Sequence, residues 1–182
     1  MLNIELLAEI FGWIGVTFLV LSAQRKTGQG IIFTQGIGNI FATLHYLLSG
    51  VLSGAIVATI ATSRNFLGYY LNGRLQKGII LLCTILPYIL IYLTTNNFIG
   101  YLGATAAGII SLGVIFKEKS TFVRYSNFFA TILWLIFAVT IGSLPMTVSN
   151  TIAITSIIAG AIRHEDAFSP LRRKFLPRAQ TA

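Results

Sequence analysis

The chain has 182 residues, 55% of them hydrophobic and only 10% charged, far below the ~25% charged content of soluble domains. A net charge of +8 invites nucleic acid as a partner, but the basic residues form no amphipathic face and flank no base-stacking motif, which excludes that class. The single cysteine, Cys83, excludes a disulfide framework and supplies no metal-ligand spacing.

The apolar residues fall in blocks of roughly 20, the length that crosses ~30 Å of hydrocarbon. A segment alone in lipid must satisfy its own backbone, so each block is expected to be a helix. In chain order the predicted spans are Ile4–Ala23, Gln29–Gly50, Leu52–Leu71, Gly78–Leu93, Phe98–Phe116, Thr121–Ile141 and Pro145–Ile162. Glu5 and Glu9 occupy the first span where a secretory signal carries a basic segment, so that span is expected to be a structural helix. Pro87 is expected to kink the fourth span, and Pro145 suits a first helical turn.

Loop charges set the expected orientation. Arg25 and Lys26 follow span 1, Arg74 and Lys77 follow span 3, and Lys117, Lys119 and Arg124 follow span 5. The tail adds Arg163, Arg172, Arg173, Lys174 and Arg178, whereas the turns near Val51, Asn97 and Gly142 carry no charge. Every basic residue except Arg64 thus falls on one side of a seven-span chain, with the N-terminus outside and the C-terminus in the cytoplasm. The expected location is a bacterial plasma (inner) membrane.

An internal repeat is visible at a shift of 88 residues. It aligns Asn39-Ile40-Phe41-Ala42-Thr43 with Asn127-Phe128-Phe129-Ala130-Thr131, Gly12 with Gly100, and Gly54 with Gly142. Spans 1–3 then match spans 5–7, and span 4 restores the direction between two odd triplets, making the repeats parallel. The expected fold is an all-α membrane protein of 3 + 1 + 3 helices. Residues 1–74 form the first repeat, 75–97 the linker helix, 98–163 the second repeat and 164–182 a basic cytoplasmic tail.

The pattern Ser22-x-Gln24-x-Lys26, Gln35, Asn39, His45-Tyr46-x-x-x-Gly50, Gly54-Ala55 and Arg64-Asn65 resembles the YgjV-like bacterial inner membrane proteins. These are grouped by fold with the PQ-loop, SWEET and SemiSWEET sugar transporters, and the resemblance implies their 3 + 1 + 3 plan with an outside N-terminus. The Pro-Gln pair that names the PQ-loop group is absent: Ala23-Gln24 keeps only the glutamine, and Leu112-Gly113 has neither residue. In the second half the resemblance rests mainly on Trp134, Ser156 and Arg163.

Arg64 is the sharpest polar signal, about twelve residues into span 3 and so near the midplane at 1.5 Å per residue. Inserting arginine there costs at least ~2.5–3.5 kcal/mol, so it should face a cavity or a partner. Left unpaired, it should be replaceable by leucine without loss of stability; the alternatives are snorkelling towards the cytoplasm or a structural bond to backbone carbonyls. Gln35 and Asn39 are four apart and share a face, Asn127 repeats Asn39, and Trp134 repeats Tyr46. With Asn65 and Asn150 these form the expected solute-binding set. His45, with Glu9 as its best carboxylate candidate and Gln24 beyond, forms the expected gating set, unless His45 is a packing residue.

The core holds no Asp, no Lys and no Glu but Glu9 near its edge, which argues against a proton-relay pump. Haem or zinc needs more ligands than His45, His164 and Cys83, and the one aspartate, Asp166, lies in the tail. No enzyme, cofactor or metal is therefore expected. The expectation is a carrier or facilitator for a sugar or other small polar solute, with a non-transporting assembly subunit or sensor as the alternative. Its expected partners are the lipid bilayer and that solute, with a homo-oligomer left open.

Overall fold

A computed structural model, which describes residues 3–164, forms seven helices: α1 (Ile4–Ala23), α2 (Gly28–Leu48), α3 (Leu52–Tyr70), α4 (Gly73–Thr94), α5 (Phe98–Ile115), α6 (Ser120–Thr140) and α7 (Leu144–His164). The basic tail expected beyond His164 lies outside the described residues. Polar residues at the turns explain several helix starts. Asn3, Thr27 and Asn97 each cap a helix, accepting through the side chain from the backbone N–H groups of Glu5, Gly30 and Gly100.

The ends of α2 and α6 are built alike. Gly50 and Gly142 follow them with φ of 72° and 70°, a left-handed conformation that costs a side chain roughly 1–2 kcal/mol. Val51 N–H then reaches the Tyr46 carbonyl at 2.9 Å, and Ser143 N–H reaches that of Ala138 at 3.0 Å. One expectation changes here. α4 begins at Gly73, so Arg74 and Lys77 belong to its first turns rather than to a loop; the buried Pro87 lies within the same helix.

Six of the seven helices are long and apolar enough to cross a membrane; α3 is the exception. Its 19 residues include Ser53, Thr59, Thr62, Ser63, Arg64 and Asn65. It packs between α2, α4 and α5, which lets it hold polar groups away from the outside of the bundle.

Neighbouring helices close a ring. α1 packs on α2, α2 on α3, α3 on α5, α5 on α6, α6 on α7 and α7 on α1, while α4 lies against α3 and α5. Across the ring α2 also meets α6. The α7–α1 seam is close because its helices carry glycine where they meet. A Cβ on Gly12 would stand 2.9 Å from Pro145 Cβ, and one on Gly160 would collide with the Ala23 carbonyl oxygen.

Candidate functional site

A cavity of about 90 Å³ lies inside the ring, lined by residues of α1, α2, α3, α5, α6 and α7 and by none of α4. A water-sized group needs roughly 10–15 Å³ on this measure, so there is room for several. Gln35, Asn39, Arg64, Asn65, Asn127, Trp134 and Asn150 all line it, which brings together every residue of the expected solute-binding set. Ser22, Tyr46, Arg124, Thr131 and Ser149 line it as well and escaped that set. None of the described residues lining it is a carboxylate.

Arg64 is 1% exposed and is not left unpaired. Its Nη1 donates to the Ala107 carbonyl at 2.5 Å and to Ser111 Oγ at 3.2 Å, tying α3 to α5. Nε and Nη2 donate to Asn65 Oδ1 at 3.2 and 3.0 Å. A guanidinium has five N–H groups, so one on Nη2 has no partner among the described residues.

Three more polar atoms of the lining are buried without a hydrogen-bond partner among the described residues: Asn65 Nδ2, Gln35 Oε1 and Asn127 Oδ1. Such atoms are rare in native proteins and call for an explanation. Gln35 and Asn127 are each the eighth residue of their helix. That places both about 10 Å along at 1.5 Å per residue. Arg64 stands six residues before the end of α3, at a similar depth from the same end of the bundle. Lys117 shows that these ends lie together, because from the α5–α6 turn its Nζ donates to the Gly68, Tyr69 and Leu71 carbonyls that end α3.

The helix ends do not keep the 88-residue offset of the sequence match. α2 and α6 begin at Gly28 and Ser120 and end at Leu48 and Thr140, and α3 and α7 begin at Leu52 and Leu144. Each of these pairs is offset by 92 residues rather than 88, as are Gly50 and Gly142. At that offset Asn127 stands opposite Gln35 rather than Asn39, and Trp134 opposite Ala42 rather than Tyr46. Trp134 and Tyr46 nevertheless meet at one point, each packed edge-on against Phe137 with ring centroids 5.2 and 5.8 Å away. Asn150 Nδ2 donates within its own helix, to the Met146 carbonyl.

The basic end of the cavity is held by side chains that a loop reading misplaces. Arg124, expected as a topology charge at the start of span 6, is buried in α6 and donates to the Ala23 and Arg25 carbonyls, both at 2.6 Å. A cation there also complements the C-terminal dipole of α1. Gln24 reaches Ser156 Oγ at 2.7 Å and its carbonyl at 3.0 Å, and accepts from Arg163 at 3.0 Å. Lys117 is buried too, and burial draws its ammonium below the ordinary lysine range while Glu118 pulls the other way.

At the opposite end His45 is buried and both ring nitrogens are engaged. Nδ1 meets the Ala8 carbonyl at 2.8 Å, which requires the proton on Nδ1, and Nε2 meets Ser143 Oγ at 2.8 Å. The expected His45–Glu9 pair therefore does not form; His45 instead ties α2 to α1 and to the α6–α7 turn. Among the described residues no three His, Cys, Asp or Glu side chains gather at one point.

The family model for bacterial inner membrane proteins named Imp-YgjV matches residues 6–167. The chain belongs to that family. It is accordingly an inner membrane protein whose apolar helices contact the lipid bilayer. No curated protein and no solved structure matches the chain.

Proposed function

We propose that the protein carries or facilitates the passage of a small polar solute, without transforming it, through the cavity inside the ring. One observation carries this reading: polar side chains from α2, α3, α6 and α7 converge on a single cavity, although the core could have been filled with apolar side chains. In this reading all seven helices cross the membrane, as two parallel three-helix repeats joined by α4, on the plan of the SWEET-like transporters. The equal ends of α2 and α6, and the place of α4 outside the ring, support it. The N-terminus lies outside and the basic end faces the cytoplasm. His45 with Ser143 closes the outer end, and Arg124 with Gln24 and Ser156 closes the inner one.

A carrier must open its site to both faces in turn, whereas a scaffold or sensor need not. Ser149 is 1% exposed and lines the cavity. In a Cys83→Ser background, Ser149→Cys should react slowly with a membrane-impermeant thiol reagent applied to either face of oriented vesicles. Reaction from one face only, or from neither, would favour the non-transporting module.

A further inference from the structure

We infer that the solute of this site is a small hydroxycarboxylate, a molecule with one carboxylate and a hydroxyl on a neighbouring carbon; the inference rests on the carrier reading above. The polar atoms of the cavity that are fully buried without a partner among the described residues, taken with the remaining Arg64 N–H, are of two kinds. On α3 they are donors: the remaining N–H of Arg64 Nη2, beside Asn65 Nδ2. On α2 and α6 they are acceptors, Gln35 Oε1 and Asn127 Oδ1, at about the same depth as Arg64. A carboxylate fits the donor pair, because guanidinium and amide N–H groups bond most strongly to an ionised oxygen. A hydroxyl fits the acceptors that share the cavity, because its proton satisfies one of them.

Charge separates this class from its competitors. All four hydrogen bonds of Arg64 end on neutral oxygens, and no described carboxylate lines the cavity. One negative charge from the solute therefore supplies a missing counter-charge at low dielectric. A sugar or polyol would satisfy the amides but leave that cation uncompensated. An amino acid would place an ammonium beside a buried guanidinium with no carboxylate to receive it. A simple fatty acid would leave the Gln35 and Asn127 oxygens unmatched, and a buried acceptor without a donor is costly.

The test separates binding from transport. Purified protein in lipid nanodiscs is titrated calorimetrically with lactate, glycerate, propionate, alanine, glycerol and glucose at neutral pH, and uptake of the same compounds is followed in vesicles. Lactate or glycerate should bind at least tenfold more tightly than propionate and alanine, with glycerol and glucose weaker still. Gln35→Leu should bring lactate down to the level of propionate, and Arg64→Lys should weaken every acid at least tenfold. Thermal unfolding checks both variants; should Arg64→Lys fail to fold, Gln35→Leu carries the test. Equal binding of propionate and lactate, or a preference for alanine or glucose, overturns the inference, as does the absence of binding by any acid. Acid binding without uptake leaves the inference standing and removes the carrier reading. Sugar uptake without acid binding does the reverse.

Discussion

Arg64 and Asn65 are adjacent in sequence and act as one unit. Asn65 Oδ1 accepts two N–H groups of Arg64, and the guanidinium carries α3 across to Ala107 and Ser111 on α5. Arg64→Leu would thus strip a buried acceptor of its donors, beside an Nδ2 that already lacks a partner. The expected loss is about 1–3 kcal/mol. Replacing both residues by leucine removes the orphaned groups together, so Arg64→Leu/Asn65→Leu should be more stable than Arg64→Leu alone. Denaturant unfolding in mild detergent measures both; a double variant no better than the single one would show that the pair is not coupled. Arg64 stood out in the sequence because an arginine near the middle of an apolar run is costly. Arg124 and Lys117 did not, since close to a span end a cation reads as a topology signal. What each holds is the end of a helix remote in sequence, α1 for Arg124 and α3 for Lys117. His45 shows the same limit: its burial was legible, but its choice of Ala8 and Ser143 over Glu9 depends on how three elements dock.

Among the helices, the glycines at the α7–α1 seam are set by proximity. A Cβ on Gly160 would meet both the Ala23 carbonyl and, at 2.9 Å, Arg124 Nη1. Gly160→Ala should therefore cost about 1–3 kcal/mol by overpacking. Gly78 has nothing within 4 Å and lies inside α4, so Gly78→Ala should stabilise by about 0.5–1 kcal/mol through helix propensity. Thermal unfolding of the two variants should shift in opposite directions; equal shifts would show that the seam is loosely packed. Apart from the start of α4, five residues earlier than expected, the helix ends were legible to within two residues, because blocks of apolar sequence separated by Asn, Gly and Lys mark where each begins and ends. The depth of the repeat was not. Offsets of 88 and 92 differ by four residues, close to the 3.6 of one helical turn, so either keeps the same faces together. Small and polar residues recur along those faces, so the sequence match alone does not choose between them. The ends of α2 and α6, with Gly50 and Gly142, follow the offset of 92.

For the molecule as a whole, the question is whether α3 crosses the membrane. Taken by composition it would not, since its polar residues remove it from the six apolar helices. The proposed arrangement has it cross, and the charges support that reading. Were α3 to stay on one side, Arg74 and Lys77 at the start of α4 would face away from Arg25 and Lys26, and the asymmetry of the bundle would be lost. With α3 crossing, both pairs and Lys119 gather at one end, even after setting aside Lys117 and Arg124, whose charges are spent on the ends of α3 and α1. The opposite turns, at Asn97 and Gly142, are uncharged. In the proposed arrangement the positive-inside rule puts the basic end in the cytoplasm. The membrane cost of Arg64 is met because α3 is enclosed by α2, α4 and α5 and its guanidinium is bonded to α5. In a Cys83→Ser background, single cysteines replacing Asn97 and Gly142 should react with an impermeant thiol reagent on intact spheroplasts. Cysteines replacing Lys77 and Lys119 should react only after the membrane is permeabilised. Were α3 not to cross, positions 77 and 119 would lie together on the face opposite Lys26; reaction at both before permeabilisation, with a cysteine replacing Lys26 still protected, would show this, and the ring could not then enclose a path from one face to the other.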